Sequence, residues 1–387
     1  MHLINYVTRI QMDYGSLRVL PEEMERLGFK RPLIVTDAGI VDAGLLDRLT
    51  ATIGGSVRCA VYDRTSSNPT ERQVDEAAEL FRSFGCDGLI GIGGGSPLDL
   101  AKGVAIRVTH EGPLASYCVA EGGRDKIGST VPAVIAIPTT SGTGSEVSAG
   151  ALIILNDGRK LVFGSPHLIP KSAICDPDLT LGLPPGLTAA TGMDAIAHCI
   201  ETFLSPRFNP PAEGIALDGL ERAWTYIERA CADGSDREAR LYMMSASLQG
   251  ALAFQKGLGA VHALSHPLGA VKIDGKASLH HGTLNAMVLP AVLRFNADAP
   301  GVIEQRKYRR LARAMGRPQD ADPAEAILEM IGVLKMPAGL ARMGITPAML
   351  PDVARAAVLD ASHGTNPIAP TEEDYLRMLE ESMSLFP

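Results

Sequence analysis

The chain predicts an α/β domain with a parallel sheet over residues 1–183, followed by an all-helical domain over residues 184–387. Three observations carry this. Up to about residue 180, short β-branched runs alternate with amphipathic stretches. Beyond that point strand signals nearly vanish and helical periodicity takes over. Between the two lies DPDLTLGLPPG, rich in Pro and Gly, where a boundary is expected. A length of 387 residues also exceeds what one ordinary core supports.

In the first half, RPLIVTD reads as a buried strand and VDAGLLDRLTATI as the helix after it. SVRCAVYD is a second strand, and TERQVDEAAELFRSFG a helix. CDGLIGIGGGS is a third strand ending in glycines, followed by the helix LDLAKGVAIRVTH and the strand AVIAIPTT. Continuous apolar strands separated by helices indicate a parallel sheet covered on both faces. In the second half, LTAATGMDAIAHCIETFL, EGIALDGLERAWTYIERACA, REARLYMMSASLQGALAFQ, TLNAMVLPAVLRFNA, YRRLARAMG and PAEAILEMIGVLK all carry a helical repeat. Ligand sites favour domain junctions, so an active cleft is expected between the halves.

Composition excludes several classes. Hydrophobic content of 46% and charged content of 21% are globular values. The net charge of −8 comes with no basic stripe, which argues against a nucleic-acid surface. No run of eighteen apolar residues suggests a membrane span, and the N-terminus does not read as a signal peptide. The six cysteines lack CxxC or framework spacing, so reduced thiols in a cytoplasmic protein are expected.

Chemistry concentrates in the second half. Asp194 and His198 are one helical turn apart in TGMDAIAHCIE, and His262 and His266 repeat that spacing in GAVHALSHPLG; His281 follows in LHHGTLNA. Residues i and i+4 share a helix face, so each pair can aim at a common point. Three imidazoles and a carboxylate suit Fe²⁺ or Zn²⁺ with room for a substrate oxygen. His266 reads either as a fourth imidazole ligand, as a proton relay, or as an orienting neighbour of His262.

Three strand ends in the first half suit a dinucleotide. GIGGGSPLDLAK (residues 91–102) places glycines between a strand and a helix N-terminus, a ready anion site in which Gly94, Gly95 and Ser96 are candidates to hold a pyrophosphate. A plain tight turn is the competing reading. IPTTSGTGSEV (137–147) offers Thr139, Thr140, Thr143 and Ser145 to a nicotinamide amide or ribose hydroxyls, with helix capping as the alternative for Thr143 and Ser145. Asp37 ends the strand LIVTD. A carboxylate there accepts from ribose hydroxyls and repels a 2′-phosphate, favouring NAD over NADP.

With these motifs in order, nearly the whole chain resembles the iron-containing (group III) alcohol dehydrogenases, with the 4-hydroxybutyrate dehydrogenases as the nearest branch. GGGSPLDLAK and IPTTSGTGSEV are similar to the family's nucleotide motifs, and GMDAIAHCIE, GAVHALSHPLGA and HHGTLNA to its metal signatures. The resemblance implies the dehydroquinate synthase-like architecture, NAD, Fe²⁺ with Zn²⁺ as the alternative, and a homodimer or larger homo-oligomer. It implies Asp194, His198, His262 and His281 as metal ligands and His266 as proton relay. It also implies Asp37, Gly94, Gly95, Ser96, Asp99, Thr139, Thr140, Thr143 and Lys160 as cofactor contacts, and Phe254 and Ser362 as substrate-lining residues. The expected substrate is a small primary alcohol or hydroxy acid, 4-hydroxybutyrate first. A general medium-chain alcohol or diol dehydrogenase is the alternative, ahead of a dehydroquinate synthase-like lyase or a non-catalytic metalloprotein. A hydroxy acid needs a cationic partner for its carboxylate, and Lys256, Lys272, Lys276 and His280 lie close in sequence to the metal motifs, Lys256 being the first choice.

Overall fold

A computed structural model of the chain describes residues 4, 6–55, 57–273, 275 and 279–386. His2 and Lys276 lie outside the described residues. Two compact units emerge. The α/β unit comprises Tyr6–Thr140 and Gly144–Gly182; Leu183–Pro387 forms the helical unit together with Ser141–Thr143.

The α/β unit is built on strands β1 (Arg9–Met12), β2 (Leu33–Val35), β3 (Ala60–Tyr62), β4 (Leu89–Gly93), β5 (Val134–Pro138), β6 (Gly150–Ile154), β7 (Lys160–Gly164) and β8 (Ser172–Cys175). Its helices are α1 (Leu20–Leu27), α2 (Ala38–Asp42), α3 (Leu45–Ile53), α4 (Glu71–Phe84) and α5 (Gly95–Arg107). Six strands form one sheet in the order β1-β8-β5-β4-β2-β3, every pairing parallel. Alternate residues feed two cores: Leu33, Val35 and Leu89 join α4 and α5 on one face. Ile34, Ile90 and Ile92 join α1 and α3 on the other. This double covering explains why the strands read as unbroken apolar runs.

Among the described residues, four of the eight strands match the sequence expectation in place. The others are the polar edge strand β1, the antiparallel pair β6–β7 and β8. The single helix expected over VDAGLLDRLTATI is two, because Gly44 adopts φ +71° between α2 and α3. That left-handed conformation suits glycine and breaks the helix.

The helical unit contains α6 (Pro185–Leu204), α7 (Pro210–Ala232), α8 (Arg237–Leu252), α9 (Ala260–Ala270), α10 (His281–Asn296), α11 (Pro300–Glu304), α12 (Lys307–Ala314), α13 (Pro323–Val333), α14 (Leu350–Val358) and α15 (Glu372–Ser382). Helix α6 is buried on all sides from Thr188 to Leu204 and packs against α7, α8 and α10. A helix enclosed in this way must be apolar all round, except where polar groups find partners. Asp194, His198 and Glu201 are among those exceptions, beside Thr188, Thr191 and Thr202. No helix among the described residues is long and apolar enough to cross a membrane. All six cysteines are free thiols.

Candidate active site

Helix α6 presents Asp194, His198 and Glu201 along one face, at i, i+4 and i+7. Helix α9 brings His262 and His266, and α10 begins at His281. Close helix contacts make this convergence. A Cβ on Gly282 would lie 2.1 Å from the Ala190 carbonyl oxygen and 3.0 Å from Asp194 Cβ, so α10 can approach α6 only with glycine there. A Cβ on Gly250 would fall 2.9 Å from His198 Cβ, seating α8 behind that ligand candidate.

Asp194, His262 and His281 place one ligand atom each within 4.8 Å of one another. Asp194 Oδ1 lies 3.4 Å from His198 Nε2, 3.9 Å from His262 Nε2 and 4.0 Å from His281 Nε2. Four ligands at about 2.1 Å in a tetrahedron stand roughly 3.4 Å apart. The spacings therefore need only small contraction to hold one dication. Burial lowers His198 to about 4 and His262 to about 3, so both rings are neutral near pH 7 and keep a lone pair. His198 Nδ1 faces the Gly142 carbonyl at 3.1 Å, and His262 Nδ1 is paired with Glu201 Oε2. With Nδ1–H donating in each, Nε2 is the free acceptor of the ring. The donor set fits a divalent metal.

Sequence reasoning missed Glu201. Its Oε1 accepts the Val261 N–H at 2.8 Å while Oε2 holds the His262 ring, so one carboxylate orients both the start of α9 and a ligand candidate on it. Asn366 Oδ1 accepts the adjacent Ala260 N–H at 3.1 Å. Burial pushes the Glu201 carboxyl up to about 8, opposed by the Val261 N–H; a dication at the imidazoles favours its ionised form. The signal that could have found it is its own spacing, one turn beyond His198 in GMDAIAHCIE.

His266 is also buried. Its ring stacks on His281 with centroids 5.4 Å apart, and its Nδ1 meets Asp360 Oδ2 at 2.8 Å. Burial works to raise Asp360, but the His266 charge and the Ser362 N–H, at 2.7 Å from Oδ1, outweigh it and hold the carboxyl below its usual range. Ser362 is thus in the same turn as His266's partner. The Phe254 ring meets His198 edge-on at 4.7 Å. His280 is the half-buried N-cap residue of α10. Lys272 is exposed.

Lys256 requires a correction. Its side chain is fully buried, and its ammonium donates to Glu213 Oε1 at 2.7 Å, with Arg310 3.5 Å from the other carboxylate oxygen. An internal carboxylate already occupies the cation, so the expectation that Lys256 anchors a substrate carboxylate is not supported. It ties the turn carrying Phe254 to α7.

In the α/β unit the carboxyl ends of β2, β4 and β5 lie side by side. The chain reverses its direction of growth between β2 and β4, a switch point of the kind that binds ligands. Asp37 follows β2 and caps α2 through Oδ1, which accepts the Ile40 N–H at 3.1 Å. Its Oδ2 lies beside Gly93, where a Cβ would come within 3.3 Å of it and within 2.7 Å of Pro97. Gly94 is the N-cap of α5 and Gly95 its first residue, with Thr140 packed against Gly94. The Thr139 N–H donates to the Gly93 carbonyl at 2.9 Å.

The other candidates have internal partners. Ser96 Oγ donates to the Ser67 carbonyl at 2.6 Å, and Lys160 Nζ to Asn68 Oδ1 at 2.9 Å. Asp99 accepts from Ser145 Oγ at 2.6 Å and from the Leu152 N–H at 2.9 Å, which makes it a brace between α5 and the second loop. Lys102, below it, donates to Ser145, Ser148 and Gly150 oxygens at 2.7–2.9 Å. Thr143 belongs to the segment grouped with the helical unit.

A profile of iron-containing alcohol dehydrogenases matches residues 7–177, and one of the C-terminal part of the Fe-containing alcohol dehydrogenase family matches residues 188–383. The chain belongs to the iron-containing alcohol dehydrogenases. It is similar to the 4-hydroxybutyrate dehydrogenase of Cupriavidus necator, with 60% identity over 383 residues, 99% of this chain and 100% of that one. A crystal structure of 1,3-propanediol oxidoreductase superposes with a TM-score of 0.91 at 31% identity, covering 98% of this chain and 100% of the other. Sulfoacetaldehyde reductase from Bifidobacterium kashiwanohense, solved in complex with NAD⁺, superposes with a TM-score of 0.87 at 28% identity over 100% of both chains. Family membership implies a dinucleotide and a metal ion, and Asp194, His262 and His281 form a group able to hold the ion.

Proposed function

We propose that this enzyme is an NAD-linked, metal-dependent dehydrogenase that interconverts 4-hydroxybutyrate and succinate semialdehyde, working in the cytoplasm as a homodimer or larger homo-oligomer. The observation that carries the chemistry is the set of imidazoles around Asp194, with the buried His198 and His262 rings each held by a partner on Nδ1. The substrate assignment rests on the 60% identical relative. Asp194, His198, His262 and His281 would hold the metal, Fe²⁺ by family and Zn²⁺ by equal suitability of the donors. When bound, the dication would supply the charge that lowers the alcohol pKa, and the dinucleotide would supply the hydride acceptor.

The chain's own residues do the rest. Glu201 and the Gly142 carbonyl hold His262 and His198 in the tautomer that leaves Nε2 free. His266 takes the proton released from the alcohol, with Asp360 on its Nδ1 favouring the imidazolium that results. Phe254 screens the His198 side of the site from water. At the carboxyl end of β4, the Gly94–Ser96 turn receives the pyrophosphate at the α5 N-terminus. Asp37, with one oxygen on the α2 cap and the other beside Gly93, faces the ribose hydroxyls and excludes a 2′-phosphate. Thr139, Thr140, Thr143 and Lys160 complete the cofactor contacts, and Asp99 acts through the loop it braces.

A second reading, a dehydrogenase of neutral medium-chain alcohols or diols, gains from one observation: Lys256 is committed to Glu213. Lys272 and His280 are the described candidates left for a substrate carboxylate. Metal-stripped protein reloaded with Fe²⁺ or Zn²⁺ should oxidise 4-hydroxybutyrate with a kcat/KM well above that for butan-1-ol or propane-1,3-diol. Equal or lower kcat/KM for the acid would sink the substrate assignment, and no turnover of any alcohol would sink the reaction class.

A further inference from the structure

One side chain that no part of the proposed chemistry uses touches three of the four proposed ligands. Asn285 lies one turn after His281 on α10 and is fully buried. Its Nδ2 is 2.7 Å from Asp194 Oδ1 and 3.3 Å from both His262 Nε2 and His281 Nε2. The orientation of the amide follows from its neighbours. Turned over, it would set its oxygen against the Asp194 carboxylate oxygen, acceptor on acceptor, so the NH₂ group donates to Asp194.

That orientation has a cost on the other side of the amide. Asn285 Oδ1 is buried and has no hydrogen-bond partner among the described residues. An orphaned buried acceptor is a net loss for folding, whereas a leucine of similar length would fill the same space without one. The helix packing around Gly282 and Ala190 needs no amide here. A polar residue kept at a loss in the core points to the site rather than to the fold.

Resting on the assignment of Asp194, His262 and His281 as ligands, we infer that Asn285 is a positioning residue of the metal centre. Its amide hydrogen fixes the Asp194 oxygen in register with the two imidazoles and so sets the affinity for the dication. It does this without adding charge. A carboxylate at the same place would stand beside Asp194 and change the donor set; an apolar residue would leave Asp194 free to rotate.

The test is the Zn²⁺ dissociation constant of the full-length protein, by competition with a chromogenic chelator, for wild type, Asn285→Leu and Asn285→Ala. Thermal unfolding in excess EDTA runs alongside. The expected result is an affinity about 10–100-fold weaker in both variants, with the leucine variant's Tm in EDTA equal to or above wild type. A separation of affinity from stability is what a merely structural asparagine would not produce. Affinities within twofold of wild type overturn the inference. So does a loss of affinity that tracks a lowered Tm in EDTA, or failure of both variants to fold. If wild type itself binds no stoichiometric Zn²⁺, the ligand assignment fails instead, a distinguishable result.

Discussion

Replacing Glu201 with glutamine probes how the metal centre is held, because it changes two atoms and little volume. The carboxylate serves two donors, the Val261 N–H on Oε1 at 2.8 Å and the His262 ring on Oε2. An amide offers one acceptor and one donor. If its oxygen keeps Val261, its NH₂ faces His262 Nδ1, which must then accept; the ring proton moves to Nε2, and the lone pair aimed at Asp194 is gone. If its oxygen keeps His262, the Val261 N–H is orphaned in the core at a cost of about 1–3 kcal/mol. The start of α9 survives either outcome, since Asn366 still accepts from Ala260. The expectation is metal affinity weakened about 10–100-fold, that is, about 1–3 kcal/mol at 1.36 kcal/mol per decade. Chelator competition with Zn²⁺ reads this directly, and circular dichroism checks that the helices persist. A Glu201→Gln protein that holds metal within twofold of wild type would refute the argument that this carboxylate sets the tautomer.

Other perturbations follow from the same contacts. Gly282→Ala should drive α10 from α6, since its Cβ would lie 2.1 Å from the Ala190 oxygen; we expect Tm to fall and metal content after dialysis to drop, and unchanged metal content would contradict the packing account. Asp37→Ser keeps an N-cap for α2 while removing the charge, so Tm should hold nearly steady while KM for NADP⁺ falls about tenfold or more as like-charge repulsion is lifted; an unaltered KM ratio of NADP⁺ to NAD⁺ would count against it. Lys256→Met removes one charged hydrogen bond while Arg310 stays on Glu213, so it should cost about 1–3 kcal/mol and leave the KM ratio of 4-hydroxybutyrate to butan-1-ol untouched; a selective rise for the acid would restore Lys256 as anchor. Burial pushes Glu146 up to about 7, so the folded state keeps a proton that the unfolded chain loses above its ordinary carboxylate value. Stability should therefore fall, by about 1 kcal/mol per pH unit, as pH rises from about 4.5 towards 7. Glu146→Gln should flatten that slope in urea unfolding, and an unchanged slope would reject it.

The fold was legible where burial is symmetric. Strands β2, β4 and β5 are enclosed on both faces, so every residue is apolar and the run announces itself. Strand β1, RIQM, is a half-exposed edge strand, and β6 carries the alternating burial of a sheet with one open face; short runs of this kind resemble loops. The helix expected over residues 41–53 was split by a glycine whose φ is a property of the packed chain, not of local hydrophobicity. Among candidate site residues, the position of the glycine loop and of Asp37 at strand ends was readable because a strand followed by a turn is a local signal. That Asp99 and Ser145 pair with each other was not, since the contact joins positions 46 apart.

The same limit governs the metal centre. Spacing at i and i+4 puts His262 and His266 on one face of α9 and cannot say which of them ligates. Their surroundings are closely matched: each ring has a carboxylate on Nδ1, Glu201 for one and Asp360 for the other. Both carboxylates come from distant segments, so neither was visible in GAVHALSHPLG. What separates the two rings is the reach of Nε2. In His262 it stands 3.9 Å from Asp194 Oδ1 and 3.3 Å from Asn285. The ring of His266 instead stacks on His281. On the proposed assignment, an identical local device, a carboxylate that fixes the tautomer and favours a positive partner, would aim a lone pair at a cation in one case. In the other it would prepare a ring to take a proton, and only tertiary position decides between them.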